Sequence, residues 1–494
     1  RGARLTGEPG GEAGAREAEP LAGSSAVRTG APTGPLLSLR SSPYALLAVE
    51  GAVTLTALSL AVLLGRSRKR GARSAGGLQR LATERPSAVA LVFVLTLSGQ
   101  LLALPVFGIP EPQVGDEYAF LLAGETFAAG RLTNPAHPSW RHLETFHVLQ
   151  QPTYMAMYPP GQGLLLALGI VAWGSPIVGV WLSVAAAAAA ITRALQLFGP
   201  ARWALVGGLL FGFRLGVFTY WSWSYWGGAL AALGGALALA GAAGLGRRAS
   251  AGHGLTLGAG LSILAVTRPF EGIAVGLPAI VAAGARLLRR SPGPSSRRFP
   301  VAAAALAIAP VLAALAGLAV WNRAVTGSAW TFPYALQRET YAVSRHLVWQ
   351  EPGPEPAYRH EVLRDFYTRW EPENFGRFGI RGDGGAGPAA FLAKLVPIWT
   401  FFFGPALTPA LLFAPRVLAR RRNRLVAATL AGAGLAFLAT AWWIVPHYAA
   451  PATAALWVVA VEGLRRLRVA ARRARLRPGA PLAVVCSVLL VVSA

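Results

Sequence analysis

Runs of about twenty apolar residues, separated by short basic or Pro-rich stretches, recur through most of this chain of 494 residues. A helix rises 1.5 Å per residue, so a run of this length crosses the ~30 Å hydrocarbon core of a bilayer. Only 14% of the residues are charged, against about a quarter in a soluble domain. A soluble core is therefore excluded. The expected fold is all-α, a polytopic membrane helix bundle of about 12 spans plus a re-entrant segment, with extracytoplasmic loops forming the active site. The spans fall near 43–65, 88–107, 175–194, 203–219, 227–245, 253–268, 272–288, 300–321, 391–413, 425–445, 448–463 and 480–494.

A net charge of +25 would suit a nucleic-acid partner, but its distribution argues for a membrane. Arginines cluster at 66–73, 247–248, 286–298, 416–424 and 465–477 and alternate with balanced or acidic loops. That is the positive-inside pattern. It makes those loops cytoplasmic and places 108–160, 220–226, 269–271, 322–390 and 446–447 outside. Membrane lipid, anionic lipid included, is an expected contact. The expected location is the inner or plasma membrane, multi-pass. The single cysteine, Cys486, excludes a disulfide framework. The chain starts at Arg1 and stops within an apolar run, and it reads as incomplete at one or both ends. Run 43–65 lacks a following Ala-x-Ala site and reads as a span rather than a signal peptide.

Four parts follow. Residues 1–42, rich in Gly, Ala, Pro, Arg and Glu, read as a disordered N-terminal segment. Residues 43–321 form an N-terminal transmembrane module whose first extracytoplasmic loop is 108–160. Residues 322–390, polar and rich in aromatics and prolines, form an extracytoplasmic cap loop. Residues 391–494 supply the C-terminal transmembrane helices. Segment 162–173 is too short to span and reads as re-entrant or half-inserted, with a true short span as the alternative. Paired glycines at 227–228 and 234–235 lie in apolar helix, where small residues permit close packing.

The residues that could carry chemistry stand at the outer mouths of the spans. Asp116 and Glu117 open an interfacial helix. A carboxylate there can deprotonate an acceptor, and the same pair at a helix start can cap it and favour its dipole. Arg268 and Glu271 interrupt an apolar stretch at Arg268-Pro269-Phe270-Glu271. The arginine fork suits a phosphate, and an internal i,i+3 ion pair is the equal alternative. His447 and Tyr448 could bind phosphate or move a proton, although a Tyr/His pair at an interface is more often an anchor. Trp221, Trp223, Tyr225 and Trp226 could stack on a sugar or form an aromatic belt. His137, His142 and His147 are irregularly spaced, so no metal site is predicted. No cofactor is expected; a divalent metal is possible but not indicated.

The pattern Asp116-Glu117-x-x-x-Leu121-x-Ala123, then Gly130-Arg131-Leu132, Pro135 and Tyr158-Pro159-Pro160-Gly161, resembles the first extracytoplasmic loop of GT-C glycosyltransferases. The protein O-mannosyltransferase and lipid A aminoarabinose transferase branches are the most similar. Tyr225-Trp226-Gly227-Gly228, Arg268-Pro269-Phe270-Glu271 and His447-Tyr448-Ala449-Ala450-Pro451 are similar to segments of bacterial members. The resemblance implies an integral membrane enzyme that transfers a hexosyl or pentosyl group with inversion. The donor would be a polyprenyl-phosphate sugar, and the acceptor a protein, lipid or polysaccharide at the extracytoplasmic face. It also implies that Asp116 is the base, with Glu117 its neighbour, and that Tyr158, Arg268, Glu271, Trp226, His447 and Tyr448 bind substrate. The chain departs from the family where Tyr158 replaces a His or Lys before the Pro-Pro pair. It departs again where Trp221 to Trp226 replaces a second acid, which leaves donor-phosphate binding and the second acid unassigned, with Arg268 and Glu271 as candidate substitutes. A multispanning transporter or lipid flippase is the alternative function, favoured by Glu50 and Arg214 within spans. No nucleic acid is expected as a partner.

Overall fold

A computed structural model describes residues 84–226, 228–288, 298–374, 388–441 and 445–473. The expected N-terminal segment 1–42, span 43–65 with Glu50, arginine cluster 66–73 and span 480–494 with Cys486 lie outside the described residues.

The described chain is mostly helical, with several apolar helices able to cross a membrane, as an all-α membrane bundle requires. Among the described residues, five helices are long and apolar enough to span. They are α1 (Arg85–Phe107), α4 (Pro176–Phe198), α6 (Gly228–Arg247), α8 (Pro269–Leu288) and the Pro300–Thr326 part of α9 (Arg298–Thr326). Shorter helices lie between them: α2 (Gly115–Ala128), α3 (Pro160–Trp173), α5 (Ala201–Phe211) and α7 (Ala251–Thr267). Helices α4 and α6 are central and buried along most of their length. Helices α1 and α9 turn Leu102, Val106, Leu312 and Val320 outward. Contiguous exposed apolar surface of this kind marks contact with lipid.

Local sequence explains where the helices break. Helix α7 ends at Thr267 and α8 begins at Pro269, with Arg268 alone between them at φ −138°, ψ 70°. A residue before proline is pushed out of the α region, and proline suits the first turn of the next helix. Helix α3 ends at Gly174, whose φ of +71° closes the helix by N–H bonds to Gly169 and Ile170. Glycine takes that left-handed conformation without the cost a Cβ brings. Pro176 starts α4 two residues later. The short segment expected at 162–173 is thus a helix of 14 residues, about 21 Å long and shorter than the hydrocarbon core.

Two expected spans are interrupted. The 203–219 run is α5 followed by a π-helical turn at Gly212–Val217. The 391–413 run divides into α13 (Pro388–Phe402) and α14 (Gly404–Leu411). Between α9 and α13 come α10 (Pro333–Tyr341), α11 (Glu361–Asp365) and α12 (Glu371–Asn374). After α14 come α15 (Ala414–Leu418) and α16 (Arg424–Ala439). The run expected to span from 448 instead opens with a 3-10 segment at Pro446–Ala452, and α17 (Thr453–Arg473) follows. Pro446 and Pro451 each lack the N–H that an α-helical bond needs.

The polar segments pack on one another. Strands β1 (Val148–Leu149) and β2 (Met155–Ala156) form a small antiparallel hairpin in the first loop. Glu144 of that loop accepts from the Tyr341 hydroxyl at 2.8 Å and from Arg359 at 2.9 Å. His360 donates to the Arg141 carbonyl at 2.7 Å. The 333–374 segment has its own aromatic core of Tyr341, Leu363 and Tyr367, against which Phe146 of the first loop packs. Arg338 grips Glu371 with two bonds of 2.6 and 3.0 Å inside it.

Helix contacts run through small residues. Gly235 of α6 lies so close to the Pro451 carbonyl that a Cβ there would overlap it, whereas a Cβ at Gly246 meets nothing within 4 Å. Gly235→Ala is therefore expected to destabilise the protein by about 1–3 kcal/mol through overpacking. Gly246→Ala should be neutral or stabilising by up to ~1 kcal/mol, from helix propensity. Thermal unfolding of both variants in detergent checks this; equal midpoints would refute the close contact.

Candidate functional site

Asp116 is the second residue of α2. The N-cap is Val114 and makes no side-chain cap bond, so capping does not occupy the Asp116 carboxylate. Its Oδ1 accepts from the Tyr158 hydroxyl, and its Oδ2 lies 3.7 Å from His147 Nε2. Its side chain keeps 31% of its surface exposed. Glu117 differs. It is 2% exposed, and its two oxygens accept from the backbone N–H of Gln113 at 2.8 Å and of Tyr225 at 2.9 Å. Glu117 thus ties the start of α2 to the Tyr225 turn, and Asp116 is the carboxylate left facing the cleft.

The Tyr158-Pro159-Pro160-Gly161 turn places Tyr158 beside Arg268. A Cβ at Gly161 would lie 2.7 Å from the Val266 carbonyl. Only a glycine lets α3 begin this close to the last turn of α7, one residue before Arg268. The Tyr158 ring stacks on Phe120 at 4.6 Å. Burial, reinforced by the Asp116 charge, holds its hydroxyl protonated far above the usual phenol range. Tyr158 is therefore a donor to Asp116, not a base.

Arg268 sits over the Tyr448 ring at 4.9 Å and 3.8 Å from Glu271. The second distance is longer than a hydrogen bond. Glu271 holds the charge in place without engaging the planar fork closely. Tyr448 thus lies beside the Arg268–Glu271 pair. The residues singled out in four separate sequence segments thus form one cluster. His447 is 4% exposed, 3.4 Å from the Tyr220 hydroxyl and 4.8 Å from the Trp226 ring. Burial and the nearby Arg268 hold its pKa well below the ordinary imidazole value. His447 is a neutral hydrogen-bonding group and brings no positive charge for a phosphate.

The aromatic run divides. Trp221 and Tyr225 are core residues, and the Trp223 ring N–H donates to the Val217 carbonyl at 2.6 Å. Trp226 alone of the four reaches His447. Sequence reasoning did not pick out His147, Tyr220 or Tyr334 as site residues. His147 holds a left-handed φ of +63°, uncommon outside glycine. Gly115 leaves room for its ring, since a Cβ would lie 3.1 Å from it. That glycine before Asp116 was the available local signal. Tyr334, from the 333–374 segment, lies 6.3 Å from the Tyr158 ring and 5.1 Å from the His346 ring. Nothing local marks it. Among the described residues no group of three His, Cys, Asp or Glu could hold a metal.

No protein-family model matches the chain, and no curated protein matches it. Among solved structures it is similar to an Archaeoglobus fulgidus oligosaccharyltransferase in complex with Zn and sulfate. The TM-score is 0.47 at 10% identity, over 82% of this chain and 52% of that one. It is also similar to the Archaeoglobus fulgidus oligosaccharyltransferase AglB bound to an inhibitory peptide and a dolichol-phosphate. There the TM-score is 0.41 at 11% identity, over 83% and 55% of the two chains. The chain spans about half the length of the solved structures it matches. Likeness of this degree does not identify a family.

The two acids should separate by stability. Glu117→Gln turns one buried N–H against an amide NH2 and should cost about 1–3 kcal/mol for the unsatisfied group. Asp116→Asn keeps an acceptor for Tyr158 and should change stability by less than ~1 kcal/mol. Thermal unfolding of the two variants in detergent measures the difference; a larger loss in Asp116→Asn would reverse the roles.

His346 gives a pH dependence. Burial, with Arg338 adding to it, lowers its pKa from 6.5 to about 4. The folded protein holds it neutral, so the unfolded chain binds more protons between these values. Its contribution to stability is full above pH 6.5 and should fall as pH drops toward 4. Replacement by Gln should flatten this part of a pH–stability curve, and an unchanged slope would exclude His346 as the source.

Proposed function

We propose that this multi-pass membrane protein is an inverting glycosyltransferase that uses a polyprenyl-phosphate sugar at the extracytoplasmic face of the cell membrane. The observation that carries the reading is the shared cluster. A partly exposed carboxylate, Asp116, bonded by Tyr158, and a guanidinium, Arg268, lying over the Tyr448 ring, are brought together where Gly161 packs on the end of α7. A lipid-borne phosphate ester could keep its tail beside those helices and its sugar in the cleft.

In this mechanism the acceptor oxygen attacks the anomeric carbon as the bond from that carbon to the phosphate oxygen breaks. Asp116 takes the acceptor proton, and Tyr158 and His147 orient the carboxylate. Arg268, backed by Tyr448, meets the negative charge that develops on the departing phosphate. Trp226 and Tyr334 are placed to line the sugar, and the 333–374 segment to exclude water that would hydrolyse the donor. No metal is assigned a role. The acceptor is a protein, lipid or polysaccharide hydroxyl or amine, and the sugar a hexose or pentose. Arg214, the feature that favoured a transporter, donates to the Thr400 carbonyl at 3.2 Å and so has a structural part.

Purified protein given radiolabelled polyprenyl-phosphate sugars and a membrane extract should transfer label. Asp116→Asn should lower the rate by about 10²–10⁴, the usual worth of a general base. Arg268→Lys keeps the charge but loses the fork, and should weaken donor binding in a folded protein. Full transfer by Asp116→Asn would overturn the assignment. Movement of the intact donor across a vesicle bilayer without any label transfer would favour the flippase instead.

A further inference from the structure

Helix α1 runs from Arg85 toward the candidate site and α4 runs back from it, so Arg85 and Arg193 meet at the opposite end of the bundle. A cavity of about 770 Å³ opens there, lined by Arg85, Val89, Phe93, Val94, Arg193 and Gln196, among others. Among the described residues no carboxylate pairs with either arginine. A third arginine, Arg247, donates to the Leu197 carbonyl and adds its like charge to Arg193. Gln196, 2% exposed, donates to the Arg85 carbonyl at 2.9 Å. Two of these lining residues each carry a polar atom, Arg193 Nη1 and Gln196 Oε1, that is buried with no partner among the described residues. Such atoms are costly unless something satisfies them. One lacks an acceptor and the other lacks a donor.

We infer that this cavity binds an anionic phospholipid whose headgroup carries a hydroxyl. The phosphate would accept from Arg85 and Arg193, and the hydroxyl would donate to Gln196 Oε1. Val89, Phe93 and Val94 form the apolar wall. Val94 is 55% exposed on the outer face of α1, where an acyl chain would lie in the surrounding bilayer. A free phosphate would satisfy the arginines and leave this wall without a function. A zwitterionic lipid would bring an ammonium group toward arginines that already repel one another. The site is separate from the candidate cleft and does not rest on the proposed transferase activity.

The full chain, purified in a neutral detergent, is titrated with dioleoyl phosphatidylglycerol, dioleoyl phosphatidylcholine or inorganic phosphate while its unfolding midpoint is followed. Phosphatidylglycerol should raise the midpoint saturably, and the other two should not. Losing one charge-assisted contact should raise the half-saturating lipid concentration roughly tenfold or more. Arg193→Gln reads this directly. Arg85→Gln, at an exposed position, reads it in a protein whose packing is untouched. Equal responses to the two lipids, or an unchanged titration in Arg85→Gln, would overturn the site. A response reproduced by phosphate alone would overturn the lipid and leave an anion site.

Discussion

Apolar helices gain little by meeting one another in a bilayer, because lipid tails are as apolar as their side chains. What holds this bundle together is close approach, and small residues make it possible. Gly161 lets the start of α3 rest on the Val266 carbonyl, and Gly235 lets α6 rest on the Pro451 carbonyl. Gly432 of α16 approaches the Ala274 carbonyl of α8 in the same way. The first two contacts also place chemistry. Gly161 follows Tyr158 by three residues, and Pro451 follows Tyr448 by three. Packing through these glycines therefore brings a phenol from the first loop and another from the last onto the same arginine.

The charged groups divide between those whose bonds are taken up by the fold and those left partly open. Glu117 is spent on two backbone amides, which a buried carboxylate needs if it is to be tolerated. Because Glu117 takes the structural part, Asp116 can remain partly open with Tyr158 and His147 beside it. Arg268 and Glu271 repeat the division. Glu271 is 6% exposed and balances the arginine charge, while the guanidinium lies across an aromatic face. A pair held at 3.8 Å keeps an arginine charged at a membrane mouth and still leaves donors for a ligand.

The 333–374 segment resembles a small folded cap more than a loop. Its Arg338–Glu371 bonds, the Gln337 bond to the Tyr367 hydroxyl at 2.7 Å and its aromatic core make it internally ordered. Its bonds to Glu144 and the Arg141 carbonyl fix it to the first loop. Tyr334 projects from this segment toward Tyr158. The cluster around Asp116 is thus joined by a part of the chain more than two hundred residues away.

The sequence by itself determined the membrane class, most of the helices and some of the positions where they break. These follow from local causes: apolar run length, proline at 269 and glycine at 174, whereas the 3-10 segment at Pro446–Ala452 was read as the start of a span. It also marked Asp116, Tyr158, Arg268 and Tyr448, because polar residues at the ends of apolar runs stand out. It could not apportion roles. Asp116 and Glu117 are adjacent and chemically alike, and only the position of the Tyr225 turn, 108 residues away, decides which one is buried. His447 read as an interfacial anchor until Trp226 and Tyr220 enclosed it. His147 had only the glycine at 115 to hint at it, and Tyr334 had no local signal, since it lies far from the other site residues along the chain. Helix formation is set within a few residues, whereas burial, field and contact are set by whatever the fold brings alongside, and only the tertiary structure decided those.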